Sequence, residues 1–172
     1  MVVISGPPGA GKTSVLTALV DALTDEDIPH AAIEFETLAW THPALSDDVW
    51  RRHVKATCEL YREAGHRLLL VAETLETDDD LARLLDALGA DAHFLARVEA
   101  QPATLVARID CEPESWSGLA GLVEHTQVLA TTMPALRGVD LVVSTEGQRR
   151  KAVAVRIRAA LPRDVVAPAD AG

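Results

Sequence analysis

The string GPPGAGKT at residues 6–13 constrains the fold more than any other feature of this sequence. It matches the pattern G-x-x-x-x-G-K-[ST], follows the strand-like run "VVIS", and precedes apolar residues at helical spacing. Glycines at these places let the backbone curl so that several N–H groups point at one anion, which a Cβ would obstruct. The string therefore predicts a strand, a phosphate-binding loop and a helix in direct succession.

Each part of this loop has a chemical role with a nucleotide. The helix that begins near Gly11 adds the positive end of its dipole to the phosphate site. Lys12 reaches the β- and γ-phosphates, and the Thr13 hydroxyl is a ligand for Mg²⁺. ATP and Mg²⁺ are therefore the expected cofactors. The expected nucleotide-binding residues of the loop are Gly6, Pro7, Pro8, Gly9, Ala10, Gly11, Lys12, Thr13 and Ser14.

Strand-like and helix-like segments alternate along the rest of the chain. Further hydrophobic runs at 30–36, 66–73, 91–100 and 139–145 predict four more strands, each separated from the next by an amphipathic segment. This alternation predicts an α/β fold, a three-layer sandwich with helices on both faces of a parallel sheet. Ligands of such sheets bind at the carboxyl ends of the strands. We expect one domain over 1–161 and a flexible tail at 162–172.

Composition excludes several classes of partner. The formal net charge is −10, whereas a protein that binds nucleic acid carries a basic face, so nucleic acid is not expected as a partner. No stretch approaches the roughly 20 apolar residues of a membrane span. The chain begins without a basic leader, and Cys58 and Cys111 lack metal-like spacing. The expectation is a cytoplasmic protein with no membrane partner.

The loop at residue 6, the chain length and the strand–helix order resemble the small-molecule kinases of the P-loop superfamily. Shikimate kinase, gluconate kinase, chloramphenicol phosphotransferase and adenylylsulfate kinase are members of that group. The resemblance implies five strands in the order 2-3-1-4-5 and a short lid around residues 110–120, between the fourth and fifth strands. It also implies transfer of the γ-phosphate of ATP to a hydroxyl of a small metabolite or antibiotic.

Carboxylates at the ends of strands are the candidate metal and proton-transfer groups. "IEFE" places Glu34 and Glu36 on one face of strand two if that strand continues to residue 36. The segment resembles an Asp-x-Asp motif of the family, which implies that Glu34 lies near Mg²⁺ and Glu36 contacts the acceptor hydroxyl as base. Glutamates replace both aspartates here, and each carboxylate is displaced by about 1.5 Å. The alternative is that both acids are simply solvated at a strand end.

Glu73 ends the hydrophobic run "LLLVAE". An acid at this place either stands beside the metal or supplies negative charge to the N-terminus of the following helix. Both interpretations are open at the level of sequence, and Glu73 is a candidate metal-side residue.

The resemblance also implies cations and an adenine-binding loop. Arg108 matches the lid-proximal arginines that reach phosphate or cover adenine, so we expect it to bind the nucleotide and assist transfer. A second lid arginine is missing, since that neighbourhood reads "IDCE"; Arg51, Arg52 or Arg137 is the candidate substitute. The loop "STEGQ" at 144–148, with Thr145 and Gly147, corresponds to the segment that contacts the adenine base.

The acceptor pocket is expected in the segment "LAWTHPALSDDVWRRH", after strand two. Trp40 and His42 lie on a loop and are candidate contacts for an organic acceptor, together with Arg51. Trp50 falls on the apolar stripe of the next helix, which favours a core position.

Two other functions remain open at the level of sequence. A nucleoside or nucleotide kinase is one, although the acidic balance and few lid arginines disfavour it. A nucleotide-binding protein without catalytic activity is the other. The guanine-binding string Asn-Lys-x-Asp of GTPases is absent from the sequence. Both a monomer and a homodimer are compatible with the sequence.

Overall fold

A computed structural model describes residues 1–35, 41–90, 92–111 and 119–163. The strands in these ranges are β1 (Val2–Ser5), β2 (His30–Glu34), β3 (Leu68–Glu73), β4 (Phe94–Glu99) and β5 (Leu141–Ser144). The helices are α1 (Lys12–Asp25), α2 (Asp47–Glu63), α3 (Asp78–Leu88), α4 (Pro102–Asp110), α5 (Leu119–Thr132) and α6 (Arg150–Ala160). A 3-10 turn, Met133–Ala135, follows α5.

The five strands form one parallel sheet in the order β2-β3-β1-β4-β5, which confirms the predicted fold class and strand order. The central strand is β1, and its last residue, Ser5, pairs with Glu73 of β3 on one side and Arg97 of β4 on the other. Because β1 leads directly into the phosphate-loop sequence, the loop lies at the middle of the carboxyl edge of the sheet.

Strand periodicity divides the core between the two faces of the sheet. Val2 and Ile4 pack in a cluster that includes Leu19 of α1 and Ile157 of α6. Val3, between them, belongs to the opposite cluster, which α2 and α3 cover. Both faces are thus buried, as an all-parallel sheet requires.

The helix ends follow local sequence signals. Thr77 caps α3 through a capping box with Asp80, and Pro102 occupies the first turn of α4. Both residues are of types that commonly begin helices. In the described part of the chain, no helix is long and apolar enough to cross a membrane.

Strand β2 is shorter than predicted. Its ladder with β3 stops at the pair Glu34–Ala72 rather than continuing to residue 36, and the Phe35 side chain is buried beside Trp50. β3 itself continues one residue further, to Glu73, so the ladder ends because β2 leaves the sheet after Glu34. The shared face expected for Glu34 and Glu36 depended on a longer strand, and Glu36 lies outside the described residues. Most of the predicted lid and tail, 112–118 and 164–172, also lies outside them.

Candidate phosphate-binding and phosphoryl-transfer site

The loop between β1 and α1 is shaped by close backbone contacts. Gly9 and Gly11 have φ values of 75° and 87°, in the region that glycine adopts most readily. A Cβ on Gly6 would lie 2.4 Å from the Val98 carbonyl oxygen, and one on Gly9 would lie 2.5 Å from that of Leu105. Side chains at either place would push the loop away from β4 and α4. Packing therefore requires glycine at positions 6 and 9, whereas a Cβ on Gly11 would meet nothing within 4 Å.

The N-terminus of α1 has the properties of an anion site. Gly11 is its N-cap and has no side chain to accept hydrogen bonds from the first-turn N–H groups, and the first turn contains no acidic residue. Such N–H groups need an external acceptor, and the helix dipole favours a negative one. The chain's own residues thus fit a bound phosphate group.

Lys12 is buried at the start of α1, with 7% of the residue exposed. Its Nζ donates a hydrogen bond to the Gly6 carbonyl oxygen at 3.1 Å, which directs the ammonium across the mouth of the loop. The role of this charge toward phosphates stays a prediction.

Thr13 and Glu34 are in direct contact. The Thr13 hydroxyl donates a hydrogen bond to Oε1 of Glu34, although the two residues lie on different elements, α1 and β2. Sequence reasoning assigned both to the metal, and the fold brings them together. A Mg²⁺ ion in proteins is held by one or two carboxylates and substrate phosphates, with several waters retained, so this pair fits one.

Glu73 lies near this pair in the sheet but on the opposite face. It pairs in register with Ser5, one residue beyond the Ala72 that pairs with Glu34, so strand alternation directs the two glutamates to different faces. Its Oε1 also accepts a hydrogen bond from the Thr74 backbone N–H at 3.0 Å. Among the described residues, no group of three or more His, Cys, Asp or Glu side chains converges to hold a metal. A metal role for Glu73 stays a prediction.

Arg108 joins the phosphate loop to the loop after β5. Its Nη1 donates to the Gly9 carbonyl oxygen at 3.1 Å and to Oγ1 of Thr145 at 3.0 Å, and its Nη2 donates to the Thr145 carbonyl oxygen at 3.0 Å. Thr145 is itself buried and donates from its backbone N–H to the Glu99 carbonyl oxygen at 2.7 Å. Arg108 and Thr145, both expected to contact the nucleotide, therefore meet beside the loop. Gly147 lies two residues further on, with φ 60°.

Glu146 is a residue of this region that sequence reasoning missed. Its carboxylate accepts hydrogen bonds from the Thr104 hydroxyl at 2.8 Å and from the Gln101 backbone N–H at 3.1 Å. These bonds, that from Thr104 foremost, hold the pKa of Glu146 below its usual value. The side chain thus ties the loop after β5 to the N-terminus of α4. Nothing local in the sequence indicates this, since the partners lie more than 40 positions away.

Within the described ranges, the structure does not bring the candidate acceptor-binding residues to the phosphate loop. Glu36 and Trp40 lie outside them, and His42 is exposed. Arg51 lies on α2 with its Nη1 3.7 Å from Oδ2 of Asp86 on α3, both side chains being largely exposed. The acceptor roles of these four residues stay predictions. Trp50 is half-buried against Phe35, with ring centroids 5.8 Å apart, as expected for a core position.

The other candidate arginines are engaged elsewhere. Arg52 donates from Nε to the Asp48 carbonyl oxygen, at 3.4 Å. Arg137 donates from its backbone N–H and from Nε to the Asp78 carboxylate, at 2.8 and 2.5 Å. Hydrogen bonds from Arg137, the backbone one first, lower the pKa of Asp78. Within the described residues, Arg108 is the candidate arginine that reaches the phosphate loop.

A buried charge on β4 was also missed. Arg97 interrupts the apolar run "FLARVE", and only 8% of the residue is exposed. The signal was present in the sequence, because a strand buried on both faces has no ordinary place for a guanidinium.

The sheet order and the loop sequence together define the class of fold: a P-loop α/β fold. The structure is similar to a sugar kinase from a Janibacter species, with a TM-score of 0.66 at 14% identity over 97% of this chain and 95% of that one. It is similar to a gluconokinase from Sinorhizobium meliloti, with a TM-score of 0.60 at 18% identity over 95% and 92% of the two chains. A shikimate kinase from Acinetobacter baumannii, solved with shikimate, matches with a TM-score of 0.52 at 14% identity over 91% and 89%.

The fold of this chain is thus the one seen in P-loop small-molecule kinases. No protein-family profile matches the sequence. No curated protein matches it either.

Proposed function

We propose that the protein is an ATP- and Mg²⁺-dependent kinase that transfers the γ-phosphate to a hydroxyl of a small metabolite or antibiotic. The observation that carries the proposal is the contact of Thr13 with Glu34 beside the buried Lys12, at an uncapped helix N-terminus. These groups match the needs of a magnesium nucleotide: donors and positive charge for the phosphates, and a hydroxyl and a carboxylate for the metal. The names of the neighbours, kinases of a sugar, gluconate or shikimate, support a small hydroxyl-bearing acceptor.

In this proposal Mg²⁺-bound ATP supplies the phosphoryl group, and the residues of the chain position and neutralise it. The first-turn N–H groups of α1 hold phosphate oxygens, while the Lys12 ammonium offsets the negative charge that accumulates during transfer. Thr13 and Glu34 hold the metal and its waters. Arg108 holds the loop in place through its hydrogen bond to Gly9. Together with Thr145 and Gly147, it forms a second wall of the nucleotide site.

The acceptor side depends on residues after β2. Glu36 accepts the proton of the attacking hydroxyl, and Trp40, His42 and Arg51 contribute to acceptor binding. A lid around residues 110–120 excludes water from the transferring group. Phosphoryl transfer makes small demands on a base, so positioning is the larger part of catalysis here.

The test is ATP consumption across a panel of hydroxyl-bearing metabolites and aminated or chlorinated antibiotics, with mass spectrometry to detect the phosphorylated product. Lys12→Ala should abolish turnover while leaving the circular dichroism spectrum unchanged. Lys55→Ala removes an exposed lysine from α2 and serves as the matched control.

Three outcomes would contradict the proposal. Turnover by Lys12→Ala equal to that of the parent would mean that the loop is not the phosphate site. ATP binding without phosphorylation of any acceptor would favour a nucleotide-binding protein without catalysis. Phosphorylation of nucleosides or nucleoside monophosphates alone would favour a nucleotide kinase.

A further inference from the structure

A polar pocket of about 220 Å³ lies beside the phosphate loop, on the face of β4 turned away from α1. The end of α5 and the 3-10 turn form one wall, and the carboxyl ends of β4 and β5 form the other. Its volume is below the roughly 300–1,000 Å³ typical of pockets for drug-sized ligands, so it fits a single ring or short chain. Its polar lining comes from Arg97, Glu99, Gln101 and Ser144.

Arg97 gives this pocket an unsatisfied buried donor. The side chain is only 10% exposed. Its Nη1 donates to the Met133 carbonyl oxygen at 3.1 Å and its Nη2 to Oε2 of Glu99 at 3.3 Å, whereas Nε is buried with no partner among the described residues. Buried polar groups are nearly always paired, since an unmade hydrogen bond in the interior is costly. The pocket is therefore lined by a guanidinium whose hydrogen-bonding capacity is not fully used within the described residues.

The pocket adjoins the phosphate loop. Pro7 of the loop is one of its lining residues. Ser5, two positions earlier, pairs in register with Arg97, and the Lys12 ammonium is bonded to the intervening Gly6. Through Gly6 and the β1–β4 pairing, the pocket is linked to the lysine that reaches the β- and γ-phosphates in a P-loop.

The charges of the pocket favour an uncharged, hydroxyl-rich ligand. An anion attracted by Arg97 meets the Glu99 carboxylate, and a cation attracted by Glu99 meets the guanidinium. A hydroxyl group satisfies both, because its oxygen accepts from Arg97 while its hydrogen is donated to Glu99. Ser144 adds a further hydroxyl partner, and Leu129 and Met133 offer apolar surface to C–H groups.

A second unsatisfied polar group lies on α5, on the face of that helix which contributes to the pocket. Thr126 of α5 is fully buried, and its hydroxyl has no partner in the described ranges. It lies three and four positions before Leu129 and Ala130, which line the pocket, so it shares their face of the helix.

We propose that this pocket is a specificity subsite that binds an uncharged polyol portion of the phosphate acceptor through Arg97 and Glu99. The inference rests on the proposed kinase function, but binding to the subsite requires no phosphoryl transfer. Glu99 and Arg97 select the acceptor, and the phosphate loop performs the transfer.

The experiment measures binding of four related probes to the full chain without nucleotide, by saturation-transfer NMR and calorimetry. Glucose and myo-inositol are uncharged, gluconate carries a carboxylate, and glucosamine carries an ammonium. We expect at least one uncharged probe to bind about tenfold or more tightly than either charged probe. Glu99→Gln should weaken that binding about tenfold, the size of a lost hydrogen bond to a charged group. Arg97→Lys should weaken it as well.

The controls separate this inference from the kinase proposal. Glu26→Gln removes a carboxylate that forms an ion pair with Arg158, a residue distant from it in the sequence. This change should leave probe binding unchanged. Lys12→Ala should lose turnover yet bind the uncharged probe as the parent does. If Arg97→Lys does not fold, Glu99→Gln still decides, because 45% of the Glu99 side chain is exposed and its replacement keeps the shape.

Two results would overturn the subsite. One is that no uncharged probe binds, or that gluconate binds best and Glu99→Gln strengthens its binding. The other is that Glu99→Gln and Glu26→Gln bind the uncharged probe equally. Either result leaves the kinase proposal intact if turnover with another acceptor depends on Lys12.

Discussion

At the scale of single residues, the molecule depends on a few polar side chains that connect distant segments. Thr13 contacts Glu34 across 21 positions, and Arg108 contacts Gly9 across 99. Neither contact follows from spacing in the sequence. Two predictions at this scale concern the functions of Glu36 and Arg108.

Replacement of Glu36 tests the expected base. Glu36→Gln keeps the shape and removes the charge, and we expect turnover to fall about 10²-fold or more, as for a positioned acid–base group. The affinity for ATP should hardly change, because the nucleotide's phosphates are held by the loop. Steady-state kinetics with an identified acceptor, together with calorimetric ATP binding, measure both quantities.

Glu34→Gln is the matched comparison for Glu36→Gln. It should weaken the dependence on Mg²⁺, because Glu34 contacts the expected metal ligand Thr13. Full activity of Glu36→Gln would transfer the base assignment to Glu34 or Glu73.

Replacement of Arg108 tests the link between the two loops. Arg108→Met removes three hydrogen bonds to Gly9 and Thr145 from a partly buried group, and should lower the free energy of unfolding by about 1–3 kcal/mol. It should also raise the Kd for ATP, because Gly9 loses its support. Urea denaturation and nucleotide titration measure the two effects. Arg156→Met, on the exposed side of α6, is the control; equal behaviour of the two variants would contradict the assigned role of Arg108.

At the scale of elements, helix ends and strand ends decide the local structure. The start of α3 is decided locally, because the two residues of its capping box, Thr77 and Asp80, lie only three positions apart in the sequence. The end of β2 is the opposite case. The sequence pattern placed the strand end at residue 36, whereas the ladder stops at Glu34 although β3 continues to Glu73.

The capping box of α3 should make stability depend on pH in the acid range. Burial opposes ionisation of Asp80, yet hydrogen bonds from Thr77 and the contact with Arg83 outweigh it and lower the pKa from 3.8. A lowered pKa means that the folded state binds the proton less tightly than the unfolded chain. The stabilisation is therefore complete above about pH 4 and is lost as the pH falls through the lower folded value.

Asp80→Asn tests this dependence through urea midpoints between pH 3 and pH 7. We expect the variant to be less stable than the parent at neutral pH, by about 1 kcal/mol or less for a lost cap interaction. The difference should shrink as the pH falls below about 4. Asp21→Asn in α1 provides the control; a stability difference independent of pH would contradict the role assigned to the Asp80 charge.

At the scale of the whole molecule, the parallel sheet gathers the ends of its strands at one edge, and the loop lies at the centre of that edge. The carboxyl ends of the strands thereby lie along the edge at which we propose that the nucleotide binds. A ligand that binds there contacts much of the fold, so its binding energy should appear as global stability.

Magnesium ATP should therefore raise the melting temperature. At a concentration about 100 times Kd, binding adds about 2.7 kcal/mol, which for a chain of this size corresponds to a rise of roughly 5–10 °C. Scanning calorimetry with and without the nucleotide measures the shift. Lys12→Ala should lose most of it, while Lys55→Ala should retain it; a shift of equal size in all three proteins would place the ligand away from the loop.

The sequence by itself determined the parts of this protein that depend on neighbours along the chain. The glycine spacing of 6–13 predicts the loop, hydrophobic periodicity predicts the five strands and their helices, and Thr77 and Pro102 predict two helix starts. The strand order came from the family resemblance. These local signals agree with the fold because a buried parallel sheet demands apolar strands separated by amphipathic helices.

Only the tertiary structure decided which side chains meet. The strand register places Glu34 on the α1 face, where Thr13 lies, and Glu73 on the other. The register also places Arg97 beside Glu99 in a pocket that no sequence motif predicts. The physical reason is that hydrogen bonds between distant segments are selected by sheet order and register, and these follow from burial of the whole core rather than from any short stretch of sequence.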